Sequence, residues 1–271
     1  MIDDDGALLE ACVTAARAAG AEILKLVDSG FEVETKGDES PVTVCDRAAE
    51  RIILDALREA APGVPVIAEE EVAAGRIPAH GERYFLVDPL DGTKEFIRGG
   101  LDYTVNIGLI VGGQPLLGVV YQPAEDQLWG GMVGQGAFRE DDGGRKSIAV
   151  RQLGEQRAAV ASKSHFNQAT ADYLERALGS CGYVSVGSSL KFCIVADGRA
   201  DIYPRLSPTS EWDTAAGHAV LLAAGGLVDD PQGAPLTYGK PSFLNVGFCA
   251  TAGWRAPPVA PYLPDFTKAG I

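Results

Sequence analysis

The sequence has little basic charge and no long apolar run. Its 271 residues hold 23 Lys and Arg against 37 Asp and Glu, which gives a net charge of −14. Nucleic-acid polymers and anionic lipid surfaces are bound through basic patches, so this balance argues against both kinds of partner. No apolar stretch approaches the roughly 18 residues of a transmembrane helix, and the acidic start at residues 1–5 lacks the basic region of a secretory signal. We therefore expect no transmembrane segment.

Cysteine and histidine are also scarce. The five cysteines are odd in number and form no C-x-x-C pair, which is typical of reduced thiols and indicates a cytoplasmic protein rather than a disulfide framework. His80, His165 and His218 lack the spacing of zinc ligands. The composition of the whole chain, 46% hydrophobic and 22% charged, is typical of a globular protein and argues against extensive disorder.

Apolar spacing divides the chain into two parts. The first is predicted to hold helices over 7–28, with Asp4 or Asp5 as N-cap, and over 46–60, strands at 64–68 and 84–87, and an antiparallel meander at 104–111, 116–121 and 127–132. The second alternates strands at 158–161, 183–186, 200–203 and 243–249 with helices near 167–178, 190–197 and 213–224. We expect an N-terminal α+β domain over 1–152 and a C-terminal α/β domain over 153–271.

Acidic residues cluster at four places next to these elements. They are Asp46, Glu69-Glu70-Glu71, the segment 88–93 (D-P-L-D-G-T) and Trp212-Asp213. Carboxylates at strand ends suit a site in the adjacent crevice better than a core. Packing them together would raise some of their pKa values unless cations neutralise them. Oxygen ligands without His or Cys companions favour Mg²⁺ or a similar ion over zinc.

Taken singly, most of these clusters have simpler interpretations. An isolated Asp-Gly is a common turn, and Glu69-Glu70-Glu71 alone is more typical of a charged loop. The segment 88–93 differs, because Pro89 fixes a tight turn that can direct Asp88 and Asp91 at one point. Gly92 and Thr93 then offer backbone N–H groups at a helix start, which suit a phosphate. Spacing alone therefore indicates a metal–phosphate site and nothing more specific.

Together the clusters resemble the magnesium-dependent, lithium-sensitive phosphatase superfamily of inositol monophosphatases, fructose-1,6-bisphosphatases and bisphosphate nucleotidases. Its pattern is an Asp, then Glu-Glu, then D-P-[IL]-D-[GSA]-T, then Trp-Asp, eleven residues and Gly-Gly. Here that order is Asp46, Glu69-Glu70, 88–93, Trp212-Asp213 and Gly225-Gly226, over nearly the whole chain. The resemblance implies an α+β fold, a layered α-β-α-β-α sandwich with metal ions between its two halves.

Further segments resemble the 3'(2'),5'-bisphosphate nucleotidase branch. They are 88–96, Ser162-Lys163-Ser164-His165 with Lys163 in place of an Arg, 187–193 and Tyr203-Pro204-Arg205. Inositol phosphatases typically place a sugar-binding Glu near the position of Arg205, whereas an Arg suits a second phosphate. The resemblance thus implies hydrolysis of adenosine 3',5'-bisphosphate to AMP and phosphate, a step that supports sulfate assimilation, with inhibition by lithium.

The resemblance also implies metal ligands. Glu69, Asp88 and the Leu90 carbonyl would hold one Mg²⁺, while Asp88, Asp91 and Asp213 would hold a second. Glu69 would contact a third, weaker ion, near which Asp46 would act through water. Two ions about 3.5–4 Å apart suit an in-line displacement by water. Glu70 would lie behind the ligands and Glu71 in solvent.

Catalytic and substrate roles follow in the same way. Glu69, Thr93 and Asp46 would serve the attacking water, and Gly92 and Thr93 N–H groups would hold phosphate oxygens. Ser188, Lys191 and Arg205 would meet the 5'-phosphate, with His165 nearer the nucleoside. Without the resemblance, Lys191 would be interpreted as a solvated helix-face lysine. The expected substrate contacts are Glu69, Leu90, Asp91, Gly92, Thr93, His165, Ser188, Lys191, Arg205 and Asp213.

Two alternatives stay open: an inositol or sugar phosphatase, and a catalytically silent metal- or nucleotide-binding regulator, against which the complete ligand set argues. The expected partner is a small bisphosphate nucleotide. The net charge of −14 does not exclude such a partner, because bound Mg²⁺ would make the local charge at the site positive. A homodimer is left open. Bacterial members are often associated peripherally with the cytoplasmic side of the inner membrane, but no segment here indicates this independently.

Overall fold

The computed structural model describes residues 2–30, 33–35 and 41–264. Its helices are α1 Ile2–Ser29, α2 Val44–Ala60, α3 Glu69–Ala73, α4 Thr93–Ile97, α5 Gln168–Leu178, α6 Leu190–Ala196 and α7 Trp212–Ala223. The N-cap predicted at Asp4 or Asp5 is wrong, because α1 begins at Ile2. Acidic residues in a first turn are favourable there, since they complement the positive end of the helix dipole.

The second helix also begins earlier than predicted, because Thr43 caps it. The Thr43 hydroxyl accepts a hydrogen bond from Cys45 N at 3.1 Å, and Asp46 Oδ2 accepts one from Thr43 N at 2.7 Å. This reciprocal arrangement is a capping box, and it satisfies backbone N–H groups that the first helical turn leaves open. Asp46 is thereby fixed in the first turn of α2.

A seven-stranded sheet forms the N-terminal half, in the order β3-β4-β5-β6-β7-β8-β9. Its strands are β3 Val66–Ala68, β4 Arg83–Asp91, β5 Thr104–Val111, β6 Gln114–Gln122, β7 Gln127–Met132, β8 Gly136–Asp141 and β9 Gly144–Ile148. β3 is parallel to β4, and every later pair is antiparallel. The predicted meander is confirmed and extends by two strands. Before it, β1 Val33–Thr35 and β2 Pro41–Thr43 form a separate antiparallel pair.

A five-stranded sheet in the order β11-β10-β12-β16-β14 forms the C-terminal half. Its strands, with the short pair β13 and β15, are β10 Ala158–Ser162, β11 Gly182–Val186, β12 Ile202–Arg205, β13 Thr209–Ser210, β14 Leu227–Asp229, β15 Leu244–Asn245 and β16 Phe248–Thr251. The single strand predicted over 243–249 is wrong, because the chain changes partner at Gly247. β15 pairs with β13, whereas β16 pairs with β12 and β14.

The layers follow from the apolar faces of these elements. α1 and α2 pack on one face of the seven-stranded sheet, α6 and α7 fill the space between the two sheets, and α5 covers the outer face of the five-stranded sheet. This α-β-α-β-α sandwich confirms the predicted fold. The predicted boundary after residue 152 falls between β9 and β10, in a stretch without helix or strand, and stays a prediction.

Glycines let α7 approach the larger sheet closely. A Cβ at Gly108 would lie 2.8 Å from Ala216 N, and one at Gly118 would lie 2.3 Å from Ala216 O. The strand backbone and the helix backbone are thus in direct contact, which places the start of α7 beside the end of β4. Among the residues that the structure describes, none of the helices combines the length and apolar character that crossing a membrane requires.

Candidate active site

A cavity of about 390 Å³ lies between the two halves of the sandwich. It is lined by the end of β4, the starts of α3, α4, α6 and α7, and the end of β12. All the predicted site residues except Asp46 line it. They are Glu69, Asp88, Leu90, Asp91, Gly92, Thr93, His165, Ser188, Lys191, Arg205 and Asp213. Residues that are far apart in sequence therefore share one opening.

The turn between β4 and α4 forms one wall of this cavity. The pairing of β4 with β5 shifts register between Asp88 and Asp91, and Leu90 N donates to Asp88 Oδ1 at 2.9 Å. Gly92 then adopts a left-handed conformation with φ of 96°, and a Cβ there would lie only 2.7 Å from Asp102 O. Glycine is required at this point for both reasons, and it leads directly into α4.

Four carboxylates share this wall, namely Glu69, Asp88, Asp91 and Asp213, and burial together with repulsion between carboxylates raises the pKa values of Asp88 and Asp91. Burial, followed by repulsion from Glu69, Asp91 and Asp213, holds the pKa of Asp88 well above its ordinary value. Burial and repulsion from Asp213 raise the pKa of Asp91 to about 7. Such a cluster of buried oxygen donors favours a neutralising hard cation, so the residues present fit Mg²⁺.

The carboxylates are also held by the protein itself. Asp213 Oδ2 accepts hydrogen bonds from Thr209 Oγ1 at 2.5 Å and from Ser210 N at 3.0 Å. Among the described residues, no group of three or more His, Cys, Asp or Glu side chains forms a ready-made metal site. A bound cation would compete with Thr209 and Ser210 for Asp213 Oδ2. It would likewise compete with the Leu90 N–H for Asp88 Oδ1. No sequence motif predicted that Thr209 would bind Asp213. The two side chains meet because β13 directly precedes α7.

Asp46 does not line the cavity but contacts Thr93, which does. Thr93 Oγ1 lies 3.0 Å from Leu90 O and 3.3 Å from Asp46 Oδ1. The buried Asp46 carboxylate also accepts from the backbone and hydroxyl of Thr43, at 2.7 and 2.6 Å. The action through water that was predicted for Asp46 stays a prediction, while the observed contact is with the Thr93 hydroxyl.

The opposite wall carries buried positive charge. Lys191 is only 3% exposed, so its interpretation as a solvated lysine is wrong. Its Nζ donates to the carbonyls of Ser188 and Val186 and lies 5.3 Å from the centre of the Tyr203 ring. Burial lowers the pKa of Lys191 to about 8. Arg205 is similarly held by backbone, because its guanidinium donates to Ser207 O at 3.2 Å and Pro208 O at 3.0 Å.

Ser188 adopts a left-handed backbone conformation with φ of 47°, which is uncommon for a residue other than glycine. Its Oγ is buried and makes no hydrogen bond within the described structure. A strained residue with an unsatisfied buried hydroxyl is typical of a position that serves a ligand. This supports its predicted contact with substrate.

His165 lies on a loop that reaches across the cavity. Its Nδ1 is 3.1 Å from Ser162 Oγ, and Ser164 Oγ donates to Glu95 Oε1 of α4 at 2.7 Å. Burial, with the nearby positive charges of Arg205 and Lys191, lowers the pKa of His165 to about 4, so the imidazole is neutral at pH 7. The sequence did not identify Glu95, whose contact with Ser164 depends on the two halves meeting.

Comparisons with known proteins agree with this geometry. The sequence profile of the inositol monophosphatase family matches residues 4–255. The 3'(2'),5'-bisphosphate nucleotidase CysQ of Escherichia coli K12 is 47% identical over 244 residues, which cover 89% of this chain and 98% of that protein. Inositol monophosphatase 2 of Solanum lycopersicum is 34% identical over 236 residues, covering 83% and 88%. The crystal structure of CysQ from Bacteroides thetaiotaomicron superposes with a TM-score of 0.77 at 34% identity, covering 91% and 97%. The chain belongs to the inositol monophosphatase family.

Proposed function

We propose that this protein is a magnesium-dependent 3'(2'),5'-bisphosphate nucleotidase, which hydrolyses the 3'-phosphate of adenosine 3',5'-bisphosphate to AMP and phosphate. The observation that carries this proposal is the division of one cavity into two walls. Four carboxylates lie on one wall, and the buried Lys191 and the half-buried Arg205 lie on the other. A substrate with a reacting phosphate and a second, distant phosphate matches both walls. The 47% identity to a protein named as a bisphosphate nucleotidase supports the same choice.

The second wall favours a phosphate over a polyol. Lys191 and Arg205 each donate to two backbone carbonyls, which are neutral and fewer than the three donors of an ammonium or the five of a guanidinium. Keeping a cation away from water is costly unless an anion or another strong partner compensates. A phosphate offers charge-assisted hydrogen bonds to each cation, whereas the neutral hydroxyls of an inositol offer only weaker ones.

The wall that carries the four carboxylates, called the reacting wall from here on, supplies the groups that take part in the reaction. Glu69, Asp88, Asp91, Asp213 and the carbonyl of Leu90 would hold two Mg²⁺ ions, with Glu69 also in contact with a third. Bound Mg²⁺ supplies Lewis-acid stabilisation of the attacking and leaving oxygens and makes water a stronger nucleophile at neutral pH. The backbone N–H groups of Gly92 and Thr93 would hold phosphate oxygens as negative charge develops.

The proton of the attacking water needs an acceptor on the same wall. Thr93 Oγ1 lies within reach of both Leu90 O and Asp46 Oδ1, and a hydroxyl has one proton to donate. We infer that Thr93 orients the water while it donates to Asp46, and that Glu69 accepts the proton of the water. Asp46 then acts through Thr93, where its capping of α2 keeps it fixed. No covalent enzyme intermediate is required.

The wall that carries Lys191 and Arg205, called the distal wall from here on, binds the substrate and takes no part in the reaction. Lys191, Arg205 and the unsatisfied Ser188 hydroxyl would hold the 5'-phosphate. His165, neutral at pH 7 because of its lowered pKa, would offer an uncharged ring to the nucleoside without adding repulsion or attraction of its own.

Matched assays of phosphate release test the proposal. With Mg²⁺, kcat/KM for adenosine 3',5'-bisphosphate should exceed that for inositol 1-phosphate, and a chelator or Li⁺ should suppress both activities. The Asp91→Asn variant should lose turnover while remaining folded, whereas Asp142→Asn, on the exposed β8–β9 turn, should behave as the unmodified protein. Faster turnover of inositol 1-phosphate would assign the protein to the inositol branch instead.

A further inference from the structure

Asp102 lies between the two walls of the active-site cavity and contacts both. A Cβ at Gly92, on the reacting wall, would lie 2.7 Å from Asp102 O. A Cβ at Gly187, on the distal wall, would lie 2.9 Å from the same oxygen and 2.8 Å from Asp102 Cβ. Both glycines line the cavity, whereas Asp102 does not. The thickness of one residue therefore separates the turn 88–93 from the loop 186–189.

The Asp102 side chain fastens the distal loop in this position. Its Oδ2 accepts a hydrogen bond from Gly187 N at 3.2 Å and lies 3.5 Å from Lys163 Nζ. Lys163 N in turn donates to Val186 O at 3.2 Å. One carboxylate thus contacts both loops that carry the distal substrate residues, the loop with Ser188 and the loop with His165.

The start of β5 continues the same contact surface. Thr104 Oγ1 lies 2.9 Å from Ser189 Oγ, which donates to Asn106 Oδ1 at 2.7 Å. Thr104 and Asn106 alternate along β5 and so present side chains on one side of the strand, and Asp102 lies two residues before the strand begins. The N-terminal half therefore holds the distal loop by three successive side chains, with Asp102 nearest to the cavity.

We propose that Asp102 is a positioning residue that fixes the separation between the reacting-phosphate turn 88–93 and the distal loop 186–189, and so selects substrates with two phosphates. This inference rests on the proposed function. Two phosphates on one nucleoside can occupy both walls only over the limited range of separations that the ribose allows, whereas a monophosphate needs the reacting wall alone. Loss of the Asp102 contacts should consequently weaken the binding of bisphosphates without slowing the reaction itself.

The test compares adenosine 3',5'-bisphosphate with adenosine 3'-monophosphate. For Asp102→Ala, KM for the bisphosphate should rise by roughly fivefold to tenfold, the effect of about one net hydrogen bond, while kcat for the bisphosphate and kcat/KM for the monophosphate stay within about twofold. Asp102→Asn keeps an acceptor for Gly187 N and should restore KM to within about twofold, because the ion pair with the 55% exposed Lys163 contributes little. Asp142→Ala serves as the matched control.

The possible results of these assays have distinct meanings. Equal losses on both substrates would make Asp102 merely structural and overturn the inference, as would an unchanged KM for the bisphosphate. Turnover of the monophosphate by Asp102→Ala reports directly that the variant is folded. If the unmodified protein itself shows no preference for the bisphosphate, the proposed function fails; if that preference exists and survives in Asp102→Ala, only the inference about Asp102 fails.

Discussion

Replacing Lys191 by methionine should stabilise the protein and weaken substrate binding at the same time. The side chain is 3% exposed and donates to the carbonyls of Ser188 and Val186, so its ammonium is charged although it has lost almost all its contact with water. Methionine has a similar length and no charge. Lys191→Met therefore removes the cost of burial together with the charge that a 5'-phosphate would contact.

The magnitude follows from the pKa. Folding lowers the pKa of Lys191 from 10.5 to about 8, which corresponds to roughly 3 kcal/mol of destabilisation while the ammonium stays charged. That penalty is fully present below pH 8 and disappears as pH rises through 10.5, because the unfolded chain then loses its proton too. Two backbone carbonyls lose a donor in the variant, at about 1 kcal/mol each. We expect a net stabilisation of roughly 1 kcal/mol at pH 7.

Urea unfolding in the presence of a chelator measures this difference. Between pH 7 and pH 9.5 the advantage of Lys191→Met should shrink by roughly 2 kcal/mol and change sign. KM for adenosine 3',5'-bisphosphate should rise by about tenfold to a hundredfold, the value of a charge-assisted contact. Lys146→Met, at a lysine whose side chain is 67% exposed, should change neither quantity. A variant that is destabilised at pH 7 and keeps its KM would refute the reasoning.

Two further substitutions test the packing and the electrostatics around the site. Gly118→Ala should destabilise the protein by about 1–3 kcal/mol in urea unfolding, because the new Cβ would lie 2.3 Å from Ala216 O; an unchanged midpoint would contradict the direct contact of α7 with the sheet. Glu50 Oε2 accepts a hydrogen bond from Glu70 N at 2.8 Å. Burial raises the pKa of Glu50 from 4.5 to about 7. The contribution of Glu50 to the free energy of unfolding is therefore fully present below pH 4.5 and is lost as pH rises through 7. Metal-free Glu50→Gln should therefore gain roughly 3 kcal/mol relative to the unmodified protein between pH 4.5 and pH 8, and parallel pH profiles would count against this burial effect.

Short motifs made the reacting wall predictable. Asp88, Asp91 and Asp213 stand at the end of a strand or the start of a helix, where local sequence determines where a side chain lies. The meander was equally accessible, since its strands alternate with turn residues and pair with their neighbours along the chain. Interactions within about ten residues therefore account for most of what the sequence predicted.

The distal wall depended on contacts between remote segments. Nothing near Lys191 in the sequence indicates that its side chain is buried, because the burial arises from the packing of α6 between two sheets. The contact of Asp102 with Gly187 joins residues 85 positions apart. The break in the strand predicted over 243–249 likewise follows from competition between two partner strands, β13 and β12. The net charge of −14 gave no indication of the buried Lys191 or of the half-buried Arg205.

The products of hydrolysis show which phosphate lies on the carboxylate wall and which atom the water attacks. Adenosine 3',5'-bisphosphate is incubated with the protein and Mg²⁺ in water labelled with heavy oxygen, and the products are separated and weighed by mass spectrometry. We expect unlabelled adenosine 5'-monophosphate, and inorganic phosphate that carries one heavy oxygen from direct attack by water. Adenosine 3'-monophosphate as the product, or heavy oxygen in the nucleotide, would contradict the placement of the 3'-phosphate on the carboxylate wall.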